Sequence, residues 1–505
     1  MQHTAIEHFR AYQPRPFTRA ERDQVTVLFG GLHWRAERLL QGAMGNLGYR
    51  SEVLPTATKE DLLTGRELAD IGQCCPTSFT TGNLANVLRR ESARLGAEEV
   101  AKKYVYVTAG ACGACRFGQY HQSYELALRN AGLESFRMFL LAQNGLEQGS
   151  AEGGGLDLNL SFTLGAIWAV IVGDLIQDLE YQVRPYEVKP GETEQVVKES
   201  VEYLHGIFNR SPVSRMGKWS APLWYVGTRR FFDALREVRR RFDAIEVDRL
   251  RAKPVVKITG EFYLQTVEGD PNYNIHRWLE AEGAEVYPAA ITIWLDYLMR
   301  HAGQDYEDHI GIDRYARLKV GGIKAGQGLL RWTYNRMRKA LGDLPHEMPD
   351  QREIRALAAP FYHSRLNGGE GDMLVGKALW AYHHKKAHMT CELSPYSCMP
   401  NTMSVGAMAA VTGKYPDLLY APLEIKGDAE VHALSRCQMI LTEAKRRAQR
   451  EFEDALSVNG ITLEQARELL AGFPEMKRAT YRVPRMGAAG TAANLVHHLA
   501  AKVKE

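Results

Sequence analysis

Cysteine is scarce in this chain, with 7 among 505 residues, and no N-terminal apolar stretch of the kind a secretory leader carries is present. Nor does any apolar run stand out that approaches a membrane span in length. From these absences we expect a cytoplasmic protein with no membrane partner. Thiols stay reduced there, and paired cysteines are more often metal ligands or catalytic groups than disulfides. Charge of one sign is lacking too. Against 63 Lys and Arg stand 60 Asp and Glu, and a net charge of +3 gives no support to a nucleic-acid partner. The local basic clusters Arg239-Arg240-Arg241 and His383-His384-Lys385-Lys386 read as solvated helix faces. No internal repeat of roughly 20 to 50 residues is visible.

What cysteine there is falls in pairs. Cys74-Cys75-Pro76, Cys112-Gly-Ala-Cys115-Arg-Phe-Gly and Cys391-Glu-Leu-Ser-Pro-Tyr-Ser-Cys398-Met-Pro hold all but Cys437. Each pair sits where a strand is expected to run into a Gly- or Pro-rich turn before a helix. That is how an iron-sulfur pocket between α/β layers is built. Cys437, in a helical pattern from Val431, reads instead as a small buried apolar residue. Structural zinc suits Cys112-x-x-Cys115 alone, but no second such motif follows at zinc-ribbon spacing. A thioredoxin-like dithiol is the other reading of that pair. The segment from Gly371 to Lys377 has the glycine-lysine core of a phosphate loop, with Ala378 where a magnesium-binding hydroxyl belongs, and we read it as a loop entering a helix.

Along the chain, short apolar strands alternate with amphipathic helices, the pattern of layered α/β domains. We expect an N-terminal arm (1–23), a first α/β domain (24–158), a helical segment (159–252) interrupted at Gly173 and at Arg184-Pro185, a second α/β domain (253–448), and a C-terminal helical extension (449–505). The strand Tyr104-Val-Tyr-Val-Thr empties into the second cysteine pair, and in open α/β sheets ligands bind beyond the carboxyl ends of strands.

The neighbours of the cysteines carry a resemblance. Thr108-Ala-Gly-Ala-Cys-Gly-Ala-Cys-Arg-Phe-Gly-Gln-Tyr120, Val183-Arg-Pro-Tyr-Glu187, Gly260-Glu261, Glu282-Gly-Ala-Glu-Val286, Gly369-Glu-Gly371 and Pro395-Tyr-Ser-Cys-Met-Pro400 occur in this order. As a set, over roughly residues 25 to 445, this resembles the 2-hydroxyacyl-CoA dehydratase and benzoyl-CoA reductase family, and more closely its activase-related branch, named for 2-hydroxyglutaryl-CoA dehydratase. The resemblance implies two or more Rossmann-like layered domains with a helical insertion and an iron-sulfur site at the domain interface. It further implies a dimer, an acyl-CoA substrate, and a separate dimeric ATPase activator with its own cluster. No actin-like phosphate motif is found in this chain, so the ATPase is expected as a partner.

Carried over position by position, the resemblance makes Cys75, Cys115 and Cys398 ligands of a 4Fe-4S cubane. Cys74, Cys112 and Cys391 double those three, so a double-cubane 8Fe-9S cluster with six thiolates stays open beside the single cubane. Arg116 is expected to add charge near the cluster or to form a surface salt bridge. Tyr120, Tyr396 and Ser397 are expected to hydrogen-bond a cluster ligand or a substrate oxygen. Glu261 and His121 are candidate acid-base groups, and no catalyst is assigned. The function expected is an iron-sulfur reductase or dehydratase component receiving low-potential electrons. The alternatives are a non-catalytic electron-transfer or cluster-carrier subunit and a zinc-stabilised scaffold.

Overall fold

Two runs of short apolar strands build two sheets, each flanked by the helices that connect its strands. The structure, a computed structural model, describes residues 15–70, 72–110, 115–142, 145–147, 155–216, 224–225, 227–366 and 369–504. In the first unit β1 (Thr26–Phe29) leads to α1 (Trp34–Asn46), β2 (Arg50–Val53), α2 (Lys59–Leu68), α3 (Cys75–Leu95), α4 (Ala97–Lys103), β3 (Tyr104–Ala109), α5 (Tyr120–Asn130), β4 (Arg137–Ala142) and β5 (Gly145–Glu147). Among the described residues the helices α6 (Leu160–Val183), α7 (Glu192–Asn209) and α8 (Arg229–Asp243) follow. The second unit runs β6 (Val255–Gly260), α9 (Phe262–Thr266), α10 (Ile275–Ala281), β7 (Glu285–Tyr287), α11 (Ile291–Asp308), α12 (Ala316–Ala340), α13 (Gln351–Ala358), α14 (Gly371–His383), β8 (Met389–Pro395), α15 (Met399–Lys414) and β9 (Leu419–Ile425). It closes with α16 (Glu430–Asn459), α17 (Leu463–Ala471) and α18 (Thr491–Lys504).

Strand order is β2-β1-β3-β4-β5 in one sheet and β7-β6-β8-β9 in the other, and every pair is parallel except β4 with β5. The protein is thus α/β, with four parallel strands in each sheet, extended in the first by the antiparallel β5, consistent with two Rossmann-like layers. In both, the first and third strands of the unit lie side by side at the centre, and the connections leave them in opposite directions. That is the switch point where crevices open at strand carboxyl ends. All six residues of β6 are buried, as expected for a central parallel strand covered on both faces.

The helix α6 carries the largest core. Its Leu175, Ile176 and Leu179 pack with Leu39 of α1 and Phe231 and Leu235 of α8. Gly173 does not interrupt it, contrary to the sequence expectation. A Cβ there would stand 2.8 Å from Ala36 Cα, so the glycine lets α1 and α6 touch backbone to backbone. The expectation that no stretch reaches membrane-span length also needs correcting. The segment Leu160–Tyr186 is long and apolar enough to cross a membrane by length and composition. Its polar residues, however, are bonded inside the protein. Asp174 accepts hydrogen bonds from the Ile291 and Thr292 amides at the start of α11 (3.1 and 2.7 Å), and Glu180 pairs with Arg35 and Arg184. Two further differences are local. The boundary expected at 448/449 falls within the unbroken α16, and β4 and β5 were not anticipated.

A buried ion network ties the two units together. From α1, Arg35 reaches Glu180 on α6 and donates to Glu268 beyond α9 at 2.9 Å, while Tyr181 and Gln177 also donate to Glu268 at 2.8 and 3.2 Å. Arg184 continues the chain to Glu280 of α10 at 2.8 and 3.0 Å. Arg35 and Glu180 are each 1% exposed, and each carries a counter-charge that offsets its desolvation.

Candidate functional site

Helix N-termini bring the cysteines to the strand ends. In α3, Cys74 is the N-cap in extended conformation and Pro76 lies in the first turn, where its missing N–H costs no helical hydrogen bond. The same arrangement recurs at α15, with Cys398 as N-cap and Pro400 in the first turn. Cys115 opens the 3-10 turn Arg116–Gln119 ahead of α5, and its Sγ accepts from the Phe117 amide at 3.4 Å. Free amides at such termini carry positive partial charge and suit an electron-rich sulfur. Cys115 follows β3 and Cys398 follows β8, so the third strand of each unit delivers one cysteine to its switch point. Just before Cys398, Ser397 holds a φ of +65°, a left-handed conformation that a serine adopts only when its surroundings impose it.

Glu261 stands at the centre of this rim. It caps α9, accepting from the Tyr263 and Leu264 amides at 3.0 Å each, and its own amide donates to Leu393 O at 2.9 Å, which pins it between β6 and β8. Gly260 before it has a φ of +135° and passes tight against Leu393. Its charge reaches Cys74, Cys75, Cys115 and Cys398, and Cys115 is in turn within electrostatic reach of both Cys74 and Cys398. Burial pushes the Glu261 carboxyl up to about 7, against the pull of its two amide donors, and the neighbouring Glu370 pushes the same way. Glu370, N-cap of α14, is itself raised, first by burial. The thiols follow: burial lifts Cys75 to about 12 and Cys115 to about 11, and lifts Cys398 further, with Glu261 adding to it. Buried, protonated thiols of this kind are poor nucleophiles.

The expected residues divide as follows. Cys74 shares hydrogen bonds with Tyr120 OH and Thr77 Oγ1, both at 3.1 Å, and packs in the first unit's core, whereas Cys75 turns into the second unit's core beside Tyr263 and Ile425. Arg116 forms no ion pair among the described residues and lies beside Cys115 in sequence. His121 sits 3.5 Å from Glu125 one turn along α5, a local helix pair. Tyr396 is 53% exposed, with Lys426 Nζ 5.1 Å from its ring centroid, and bonds neither thiol nor carboxylate. Cys112 lies outside the described residues.

Cys391 is not brought to the rim. It lies in the interior of β8, fully buried, registered against Ile258 and Ala421, and packs in the same core cluster as Cys437. Because β8 continues to Pro395, Cys391 is four residues, about 13 Å of strand, short of the carboxyl end.

Sequence reasoning missed the layer behind Cys398. Its Sγ donates to Asn401 Oδ1 at 3.4 Å, and Asn401 Nδ2 donates to Glu392 at 2.9 Å. Glu392 also accepts from Ser404 (2.7 Å) and Tyr420 (2.8 Å) and is raised by burial. Lys377, fully buried on α14, is lowered to about 8 by burial against the pull of Glu370 and Glu392. The apparent phosphate-loop core from Gly371 to Lys377 is thus helix from its first glycine, with the lysine turned into the core.

Among the described residues, no group of three or more His, Cys, Asp or Glu side chains is placed to hold a metal ion. The chemistry gathered at the rim is thiols of three separate elements, none in a disulfide, with two half-buried carboxylates, Glu261 and Glu370, held above their ordinary proton affinity. Comparison with family models finds no match, and comparison with curated proteins finds none either.

Proposed function

We propose that this chain is an iron-sulfur reductase or dehydratase component, related to the 2-hydroxyacyl-CoA dehydratases that its cysteine segments resemble, and that it receives low-potential electrons from a separate ATP-hydrolysing activator. The observation that carries this reading is that Glu261, at the carboxyl end of β6, lies within electrostatic reach of Cys74, Cys75, Cys115 and Cys398. A cubane spreads its ligand sulfurs over separate iron atoms, so its thiolates need not close around one point as they must for a single ion. Cys75, Cys115 and Cys398 would hold it, with Cys74 adjacent. The single cubane is favoured over the double one because Cys391 is fully buried inside β8, four residues short of the strand end. When bound, such a cluster supplies single electrons at low potential, tuned by burial and by hydrogen bonds to sulfur.

This chain's own residues do the rest. The Phe117 amide donates to Cys115 Sγ at 3.4 Å, and the starts of α3 and α15 place Cys74 and Cys398 where helix-terminal partial charge is positive. Glu261, raised to about 7, carries a proton on its carboxyl at neutral pH about half the time and can pass it to a departing hydroxyl. Glu370 keeps a second protonatable oxygen beside it.

The test is electron paramagnetic resonance of anaerobically reconstituted protein mixed with a dehydratase activator and ATP. We expect reduction only with both present. Full reduction by a mild donor without ATP contradicts the reading.

A further inference from the structure

A cleft of about 700 Å³ opens between α11, α12 and α13, away from every cysteine. Arg300 lies in its wall with a side chain only 8% exposed. One of its nitrogens, Nη2, donates to Asp372 at 2.7 Å, and the guanidinium lies 4.9 Å from the Tyr297 ring centroid. Its Nε and Nη1 are buried and have no hydrogen-bond partner among the described residues. Buried donors left in this state cost roughly 1–3 kcal/mol each, more when charged, a cost that an acceptor reaching them from the cleft would remove.

The rest of the lining agrees. Arg352 and Arg355, three apart on α13, face the same cleft and form no ion pair among the described residues. The other two cations are spoken for: Lys324 by Glu307 at 2.9 Å and Arg331 by Asp296 at 2.6 Å. Counting Arg300, five cations thus line the cleft against two carboxylates, Glu307 and Asp350. Gln304 and Gln351 each bury a side-chain oxygen without a partner. Three arginines with unused planar donors match the oxygens of a phosphate group better than any neutral ligand, and the glutamine oxygens can accept from hydroxyl or amino groups.

We infer that this cleft binds a phosphate-bearing small molecule, with Arg300, Arg352 and Arg355 holding the phosphate oxygens and Gln304 and Gln351 the neutral part. The site is independent of the cysteine reading, since no cysteine lines it.

Calorimetric titration of the full chain with inorganic pyrophosphate, and separately with inorganic phosphate, tests the assignment. We expect saturable one-to-one binding, tighter for pyrophosphate. The double variant Arg352→Gln/Arg355→Gln should weaken it at least tenfold with an unchanged melting temperature, because neither arginine is paired. Arg300→Gln should do the same; if it fails to fold, the α13 double variant decides alone. Arg485→Gln, in a second basic cleft beside Lys386, should leave binding unaltered. Absence of saturable binding, full affinity in the α13 double variant, or loss of binding in Arg485→Gln overturns the inference.

Discussion

The two units share a strand order and each delivers a cysteine after its third strand, yet their rims differ after the first strand. In the first unit β1 ends in Gly30-Gly31, and the nearby carboxylate, Glu37, is turned back to accept the Leu32 and His33 amides at 2.8 and 3.0 Å. In the second, β6 ends in Gly260-Glu261, with Glu261 reaching four thiols and with Glu370 beside it. Each unit's third strand delivers one thiol, while the carboxylates whose charge reaches those thiols, Glu261 and Glu370, both come from the second unit. A second contrast separates this rim from the buried ion network: Glu268, held against Arg35, lies well below the usual carboxylate range, whereas Glu261, buried with no cation to pair with, lies well above it. Equal burial gives opposite titration, and uncompensated burial is where chemistry concentrates.

Breaking the network that joins the units should have the largest effect on stability. Arg35→Ala strands Glu180 and Glu268 without their shared guanidinium, and we expect a loss of about 3–5 kcal/mol in denaturant unfolding. A loss below about 1 kcal/mol would remove the network from the account of how the halves hold together.

Next in size is the pH dependence set by Glu261. A carboxyl whose folded-state pKa of about 7 exceeds its ordinary 4.5 holds its proton more tightly when folded. Its contribution is therefore at its best below pH 4.5 and turns against folding as pH rises from there through 7. Glu261→Gln should raise stability at pH 8 by at most about 3 kcal/mol and change little at pH 4, as melting curves at the two pH values would show. An equal shift at both would mean that Glu261 does not titrate as described. Glu37→Gln, on the other unit, is the matched comparison.

The smallest effects separate rim from core. Tyr120→Phe removes a hydroxyl that bonds Cys74, a change of about 1 kcal/mol. Cys391→Ala, which opens a small void beside Cys437, should cost a similar amount, about 1 kcal/mol, and leave any bound iron in place. Iron loss in Cys391→Ala would return it to the ligand set.

How far the sequence led can be seen in single residues. Cys75, Cys115 and Cys398 could be placed because glycine and proline punctuate the turns around them, and those turns did become helix starts. Cys391 could not, because its distance from the strand end depends on β8 running on through Leu393 to Pro395, which the Ser-Pro pair disguises as a turn. Gly173 looked like a helix break, although what it permits is contact with Ala36, a residue far away in sequence. The layer of Glu370, Lys377, Glu392 and Asn401 left no local signal that its members meet, although Glu370 and Lys377 lie in segments the sequence singled out for other reasons. Its members come from α14, β8 and α15, and only the folded crossing of these elements sets Lys377 near both carboxylates. The shared strand order of the two units was equally invisible, being a relation between pairings and not between residues.

Metal content tests the central claim most directly. The chain, reconstituted anaerobically with iron and sulfide, should carry close to four iron atoms and four acid-labile sulfides per monomer, with a brown visible absorbance that Cys115→Ala and Cys398→Ala each abolish while Cys391→Ala retains it. Zinc in place of iron, or iron that survives the loss of both Cys115 and Cys398, would contradict the assignment of this rim to an iron-sulfur cluster.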